Sequence, residues 1–240
     1  MLVNEKIFRE YDIRGVVGTD LDGELAYAIG QALAYVAKRE FSIASGSAAT
    51  PSGSLPPGPE FRRQLIAGVI SQGVAALDCG MGPTPQLYHA VITRKLLGGV
   101  QITASHNPGD QNGFKMMIGQ RTLSGEAIQE IRNLALQGTP VYNGRPGVCT
   151  EFDAHSAYLD DLVQKSLPYM STKRRLKIVV DGGNGVGGLI GPELLRRLGC
   201  EVIEIYTEPD GNFPNHHPDP TVLENLHDLQ QLVLRHHADL

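Results

Sequence analysis

EFRRQLIAGVISQGVAALD, residues Glu60 to Asp78, decides the fold class. Glu60 to Gly73 carries apolar residues at helical spacing, Gly73 supplies the stop that commonly ends a helix, and Val74 to Asp78 follows as a short apolar strand. The same logic extends in both directions. Gly23 to Arg39 is helical and runs into a strand-like Phe41 to Ala44, and a short helix at Leu87 to Arg94 precedes a buried strand at Gly99 to Thr103. In the second half, Glu151 to Ser166 reads as helix, Leu176 to Asp181 as strand, Gly191 to Leu198 as helix and Glu201 to Tyr206 as strand. Helix and strand alternating from end to end predict an α/β fold with substantial parallel sheet. The strings PEFRRQL at Pro59 and PELLRRL at Pro192, each followed by a glycine and a strand, hint at a repeated supersecondary unit.

Between these halves, QGTPVYNGRPGVC, ending at Cys149, is rich in turn formers and lacks periodicity, so a boundary is expected there, giving domains 1-149 and 150-240. Ser45 to Pro57 (SGSAATPSGSLPP) is a low-complexity run that reads as a loop. The 28 Gly and 15 Pro among 240 residues exceed the combined average of about 12%, which implies many shaped turns. With 41% hydrophobic residues the chain is able to bury a core. Its net charge of -5 gives no footprint for a nucleic-acid backbone, and no segment approaches the run of about 20 apolar residues that spans a membrane. Neither partner is expected. Cys79, Cys149 and Cys200 are too dispersed for a disulfide framework or a metal knuckle, and they suit a reducing, cytoplasmic setting.

The chemistry concentrates in TASHNPGDQNGFK, Thr103 to Lys115. Asn107-Pro108 disfavours helix, and Gly109 and Gly113 permit tight turns, so Ser105 is presented at the carboxyl end of a strand, where open α/β sheets bind ligands. A serine there needs a neighbouring base or serves as a phosphoryl carrier, with His106 and Lys115 on hand for protons and phosphate charge. Taken blind, a well-capped surface turn remains the alternative.

This stretch closely resembles the phosphoserine loop of the phosphohexomutase superfamily, the phosphomannomutase/phosphoglucomutase enzymes. FREYDIRGVVG at Phe8, GMGPTPQLY at Gly80, DGGNGVGG at Asp181 and DGNFPNHHPDPTVLENL at Asp210 are similar to further blocks of that family in order and spacing. The resemblance implies two mixed-sheet α/β domains of phosphohexomutase type, the second incomplete at its C-terminus. It implies that Ser105 is phosphorylated in the resting enzyme and passes its phosphate to a hexose phosphate, and that the bisphosphate turns around and returns its other phosphate. His106, Lys115 and Arg14 then lie beside the phosphate as catalytic groups, and Tyr11 and Asn107 on the substrate-binding surface. The resemblance further implies that the phosphate on Ser105 is a Mg²⁺ ligand and that a hexose bisphosphate is the activator and intermediate, and it leads to the expectation of a monomeric full-length protein. Arg14, Lys115 and a cation are also the groups that phosphoryl transfer uses to neutralise charge.

Two departures bear on activity. The family usually carries an Arg/Asp-rich run where Ser45 to Pro57 stands, an abrupt swap of the kind a local reading-frame shift would give. The chain also stops at Leu240, just where the family continues into a short strand and the aspartate loop that holds Mg²⁺. The 240-residue chain alone is therefore expected to be inactive, to hold no Mg²⁺ tightly and to leave an exposed sheet edge in its second domain. Two rival readings follow from other features. One is a fragment or pseudoenzyme acting as a binding module. The other is an NAD-dependent oxidoreductase, because Gly183, Gly185 and Gly188 satisfy GxGxxG after a strand and Glu204 lies about 20 residues on. His216, His217 and Asp219 tempt toward a metal, but adjacent histidines on extended backbone point to opposite faces, so at most one of them converges with Asp219.

Overall fold

Asp22 begins the first helix: its carboxylate accepts from the Leu25 amide at 2.8 Å, pairing one of the donors that every helix start leaves open. The helix, α1 (Gly23–Glu40), has Glu24 in its first turn and Lys38 and Arg39 in its last, which complements its dipole. It buries Leu25, Ile29, Leu33 and Val36 in the core and packs against α2 (Gly58–Ser71). The two helices meet backbone to backbone. A Cβ on Gly30 would lie 2.3 Å from the Leu65 carbonyl oxygen, and one on Gly68 would lie 2.1 Å from that of Tyr27. Gly73, at φ +75°, ends α2 as its sequence position predicts. The computed structural model describes residues 4–41, the backbone of 47–49, and residues 58–103, 105, 107–170 and 174–240. These form two units, Met1–Ala154 and His155–Leu240.

In the first unit the strands are β1 (Ile13–Val16), β2 (Ser47–Ala49), β3 (Ala75–Asp78), β4 (Gly98–Ile102), β5 (Gln111–Ile118), β6 (Arg121–Thr122) and β7 (Cys149–Glu151). They form one sheet in the order β1-β5-β4-β2-β3-β7, with β6 on β5. Pairing among β4, β2, β3 and β7 is parallel, whereas β5 is antiparallel to both β1 and β4. The sheet is therefore mixed with substantial parallel pairing, as expected. Ile13, Val100, Ile102, Phe114, Met116 and Ile118 enter the core under α1, α2 and α4 (Glu126–Gln137). Leu87, Ala90 and Val91 of α3 (Thr84–Thr93) pack with Cys79 and Met117 in a second cluster. The strand β7 pairs with β3, so the turn-rich residues 138–149 lead back to the first sheet.

Three local expectations need correction. Gln111 to Lys115 belong to β5 and not to a loop; the strand is hidden in the sequence because both its faces are largely buried, which erases the alternation of apolar and polar residues. Within the low-complexity run, the backbone of 47–49 pairs with β3 and β4; its small residues have weak strand preference, and the neighbours on either side decide the matter. The rest of that run and the strand expected after Phe41 lie outside the described residues. The third correction concerns the second unit. There β8 (Lys177–Asp181) pairs in parallel with β9 (Glu201–Ile205), accompanied by α5 (Ala154–Ser166), α6 (Gly191–Arg197) and α7 (His227–His236). The far edge of β8 is not bare: the Asp239 amide donates to the Lys177 carbonyl at 2.7 Å, and the Val179 amide donates to that of Leu240 at 2.9 Å. Among the described residues no helix is long and apolar enough to cross a membrane.

Asp181 closes β8 with both carboxylate oxygens engaged, one by the Gly183 amide at 2.8 Å and the other by His216 Nε2 at 2.9 Å. The second ring nitrogen of His216 faces the His217 carbonyl at 3.0 Å. Two acceptors on one imidazole require two donors, so the geometry calls for the imidazolium. Burial works against that charge, but the His217 carbonyl and the Asp181 carboxylate outweigh it and raise the His216 pKa above 6.5.

Two outcomes follow. Gly68→Ala should lower the stability of the first unit by about 1–3 kcal/mol, because backbone and not a flexible side chain must move; an unchanged urea midpoint would contradict the helix contact. A group whose folded pKa is raised contributes stability fully below its unfolded value and loses it as pH rises through the folded value. The advantage of wild type over His216→Gln should thus be largest below about pH 6.5 and shrink above it. Urea midpoints across that range check it, and a constant advantage would refute the ion pair.

Candidate active site

Because β3 and β4 run in parallel, the loops that leave them, Cys79–Pro83 and Thr103–Asp110, emerge along one edge of the sheet. Arg62 grips Asp78 at the end of β3 through its Nε, 2.8 Å from each carboxylate oxygen, and Asp78 also accepts from the Gly80 amide at 3.2 Å. The first loop is thereby fixed where it starts. Buried Gln101 on β4 ties that loop inward, its Nε2 donating to the Gly82 carbonyl at 3.2 Å.

The second loop holds Ser105 exposed at φ +61°, in the left-handed region. Its amide donates to Thr103 Oγ1 at 3.0 Å, a local bond that steadies the turn. A non-glycine residue in this conformation carries a cost of about 1–2 kcal/mol, and such positions concentrate at functional sites. Gly113 on β5 lets the neighbouring backbones close in: a Cβ there would lie 2.2 Å from the Ile13 carbonyl oxygen and 3.1 Å from that of Thr103.

Register then places the cations. Arg14 on β1 stands opposite Gly113, and Lys115 stands opposite Gln101. Phe114 and Met116 fill the core, so strand alternation sends Gly113 and Lys115 to the other face of the sheet. Arg14 shares that face, one diagonal step from Lys115, or about 7–8 Å between backbones. Its guanidinium is part-buried and held at two points: one terminal nitrogen donates to Asn107 Oδ1 at 2.6 Å, the other to Asp12 Oδ2 at 2.6 Å. Buried Arg14 Nε has no hydrogen-bond partner among the described residues. A buried donor without an acceptor calls for explanation.

Of the residues singled out in the sequence, Arg14 and Asn107 touch directly, Ser105 sits two positions from Asn107 in the same turn, and Lys115 shares the sheet face. Tyr11 lies 74% exposed at the bend before β1. His106 lies outside the described residues. Sequence reading passed over Asp12 and Gln111. The first carried a usable signal, since an acid and a base two apart along extended chain point to the same side. Gln111 carried none, because its role depends on how the loop folds back.

A hard cation such as Mg²⁺ needs near-octahedral oxygen coordination. Among the described residues no three His, Cys, Asp or Glu side chains gather to hold a metal, and the carboxylate of this cluster, Asp12, is already committed to Arg14. The described residues do not by themselves fit Mg²⁺.

The glycine fingerprint after β8 has a different use. A Cβ on Gly182 would lie 2.6 Å from the Tyr206 carbonyl oxygen, and one on Gly188 would lie 2.3 Å from that of Thr207. Both glycines let the chain approach itself. Asn184, buried at φ +54°, donates through its side chain to the Glu208 carbonyl at 2.9 Å and accepts from Asn215 at 2.8 Å. Glu204, the residue offered for a ribose, pairs with Arg196. His216 turns to Asp181, while His217 packs edge-on against Phe213, ring centroids 6.3 Å apart.

Residues 5–141 match the family model described as phosphoglucomutase/phosphomannomutase, alpha/beta/alpha domain I, and residues 156–240 match its domain II. A phosphoglucomutase of Neisseria gonorrhoeae is 44% identical over 229 residues, which cover 95% of this chain and 48% of that protein. A phosphomannomutase/phosphoglucomutase of Pseudomonas aeruginosa is 43% identical over 98% of this chain and 49% of its own length. A crystal structure of a phosphoglucomutase/phosphomannomutase family protein from Burkholderia thailandensis superimposes with a TM-score of 0.87 at 34% identity, over 99% of this chain and 52% of that one. Spanning about half the length of the curated relatives it matches, the chain belongs to the phosphoglucomutase/phosphomannomutase family.

Proposed function

We propose that this chain bears the phosphoserine half of a phosphohexomutase site, which moves a phosphoryl group between two hydroxyls of a hexose phosphate. The observation that carries this reading is the exposed, left-handed Ser105 two residues from Asn107, the residue that holds the part-buried guanidinium of Arg14. A free sugar hydroxyl attacks the phosphorus of phosphorylated Ser105; the new phosphorus–oxygen bond forms as the bond to Ser105 Oγ breaks, and a proton leaves the attacking hydroxyl. The resulting hexose bisphosphate turns and returns its other phosphate to Ser105. Such a transfer consists mainly of positioning and neutralising charge. Arg14 and Lys115 supply positive charge from the same sheet face, Asn107 orients Arg14, and Tyr11 offers an exposed hydroxyl and ring to the sugar. His106 and Lys115 are the groups proposed to move the proton. Mg²⁺ belongs to this reading as the group that would withdraw charge from the phosphate, with Ser105 phosphate among its ligands. A small hexose phosphate is the partner, and a reducing cytoplasm with a monomeric protein completes the reading.

The chain purified from cells should lose roughly 80 Da on phosphatase treatment, the mass of one phosphoryl group, and Ser105→Ala should lack that mass while melting normally, since an exposed hydroxyl leaves no core cavity. In the full-length protein, Arg14→Ala should slow phosphoryl transfer from Ser105 to a hexose phosphate by about 10² to 10³, as loss of one transition-state donor does. Phosphate absent from Ser105 even after incubation with a hexose bisphosphate would refute the reading and leave a binding module.

A further inference from the structure

The geometry points to Gln111 as a positioning residue that fixes which way the Asn107 amide faces and, through it, where the Arg14 guanidinium sits. The inference builds on the proposed use of Arg14 in phosphoryl transfer, but the contacts that carry it stand independently.

Arg14 is a donor at every nitrogen and accepts nothing. Whatever meets its terminal nitrogen must therefore be an oxygen, and Asn107 presents Oδ1 there at 2.6 Å. An asparagine amide has nearly the same shape in either orientation, so shape does not choose between them. A reversed amide would set the Asn107 Nδ2 donor against the Arg14 donor and lose the bond. The neighbour on the other side favours the same orientation: Asn107 Nδ2 donates to Gln111 Oε1 at 2.6 Å. Hydrogen bonds thus run in one sense from Arg14 through Asn107 to Gln111, and bonds in such a chain reinforce one another.

Both ends of the chain are tied to backbone. The Gln111 amide donates to the Pro108 carbonyl at 3.0 Å, closing the loop, and its position on β5 pairs with Val16 of β1. At the opposite end Asp12 takes the second terminal nitrogen of Arg14 at 2.6 Å, and its own carbonyl accepts from the Arg9 amide at 2.9 Å. Clamped between Asp12 and the amide pair, the guanidinium has a set direction, and its buried Nε has no partner among the described residues. Gln111 touches no reacting group in this scheme; it acts through Asn107.

The requirement is an acceptor at the end of the residue 111 side chain, which separates three substitutions. Gln111→Glu keeps the oxygen, Gln111→Leu removes it, and Gln111→Lys puts a donor in its place and so favours the reversed amide. The test is the rate at which phenylglyoxal labels Arg14, read by peptide mass spectrometry in the 240-residue chain, with Arg62 in the same molecules as the internal reference. Arg62 is held by Asp78 on a different strand, so general loosening of the fold raises both rates and leaves their ratio unchanged. Gln111→Leu should raise the Arg14 to Arg62 ratio about five-fold, the equivalent of one ordinary hydrogen bond. Gln111→Lys should raise it at least as much, and Gln111→Glu should match wild type. A wild-type ratio in both Gln111→Leu and Gln111→Lys, or a Gln111→Glu ratio as high as that of Gln111→Leu, would overturn the assignment. No turnover enters the measurement, so its result is separable from the success or failure of the phosphohexomutase reading.

Discussion

Where β1 and β5 meet the loop after β4, there is room for a hydrogen and for nothing larger. A single methyl on Gly113 would press on the carbonyls of Ile13 and Thr103, and at 3.3 Å on the Arg14 Cα. That close approach sets the register in which Arg14 stands opposite Gly113 and Ile13 opposite Phe114. Since side chains alternate along a strand, the same register drives Ile13 and Phe114 into the core and leaves Arg14 and Lys115 together on the other face. A slip of one residue would bury the guanidinium and expose the core. The buried apolar face thus enforces the placement of the charged one.

Around this fixed frame the polar groups divide into those that are satisfied and those that are not. Asp78, Asn107 and Asn184 spend their capacity within the chain, and they shape loops. The left-handed backbone of Ser105 and the Arg14 Nε, which has no hydrogen-bond partner among the described residues, are different, because each departs from what backbone sterics or polar pairing favours. Proteins that are otherwise locally consistent tend to break their own rules at functional sites. Here both exceptions fall at the same edge of one sheet, where α/β folds receive ligands. Their coincidence gives the phosphoserine reading a physical basis beside family membership.

The sequence made some of this legible and hid the rest for identifiable reasons. Helical spacing ended by Gly73 and followed by an apolar run revealed α2 and β3, because one local signal started, stopped and reset the pattern. The strand β5 stayed hidden, since Gln111, Asn112 and Gly113 have loop composition and Phe114 onward is buried on both faces. Lys115 was therefore noticed as a residue but misplaced as to element. The glycines after β8 show the opposite failure: a local pattern suited to a dinucleotide serves instead to pack the turn on Tyr206 and Thr207, and only contacts some 20 residues away reveal it. Arg14 and Asn107 were legible through their motifs, whereas the bond between them, across 93 positions, was not.

The central claim is that Ser105 carries its phosphate into a cradle of positive charge formed by Arg14 and Lys115. A phosphoserine in water loses its second proton near pH 6. Titration of the phosphorus resonance of Ser105-phosphorylated protein measures that ionisation in place. Cations beside the phosphate favour its dianion, so the midpoint should fall below about 6 and move back up in Arg14→Ala. A midpoint at or above about 6, unchanged by that substitution, would contradict the account.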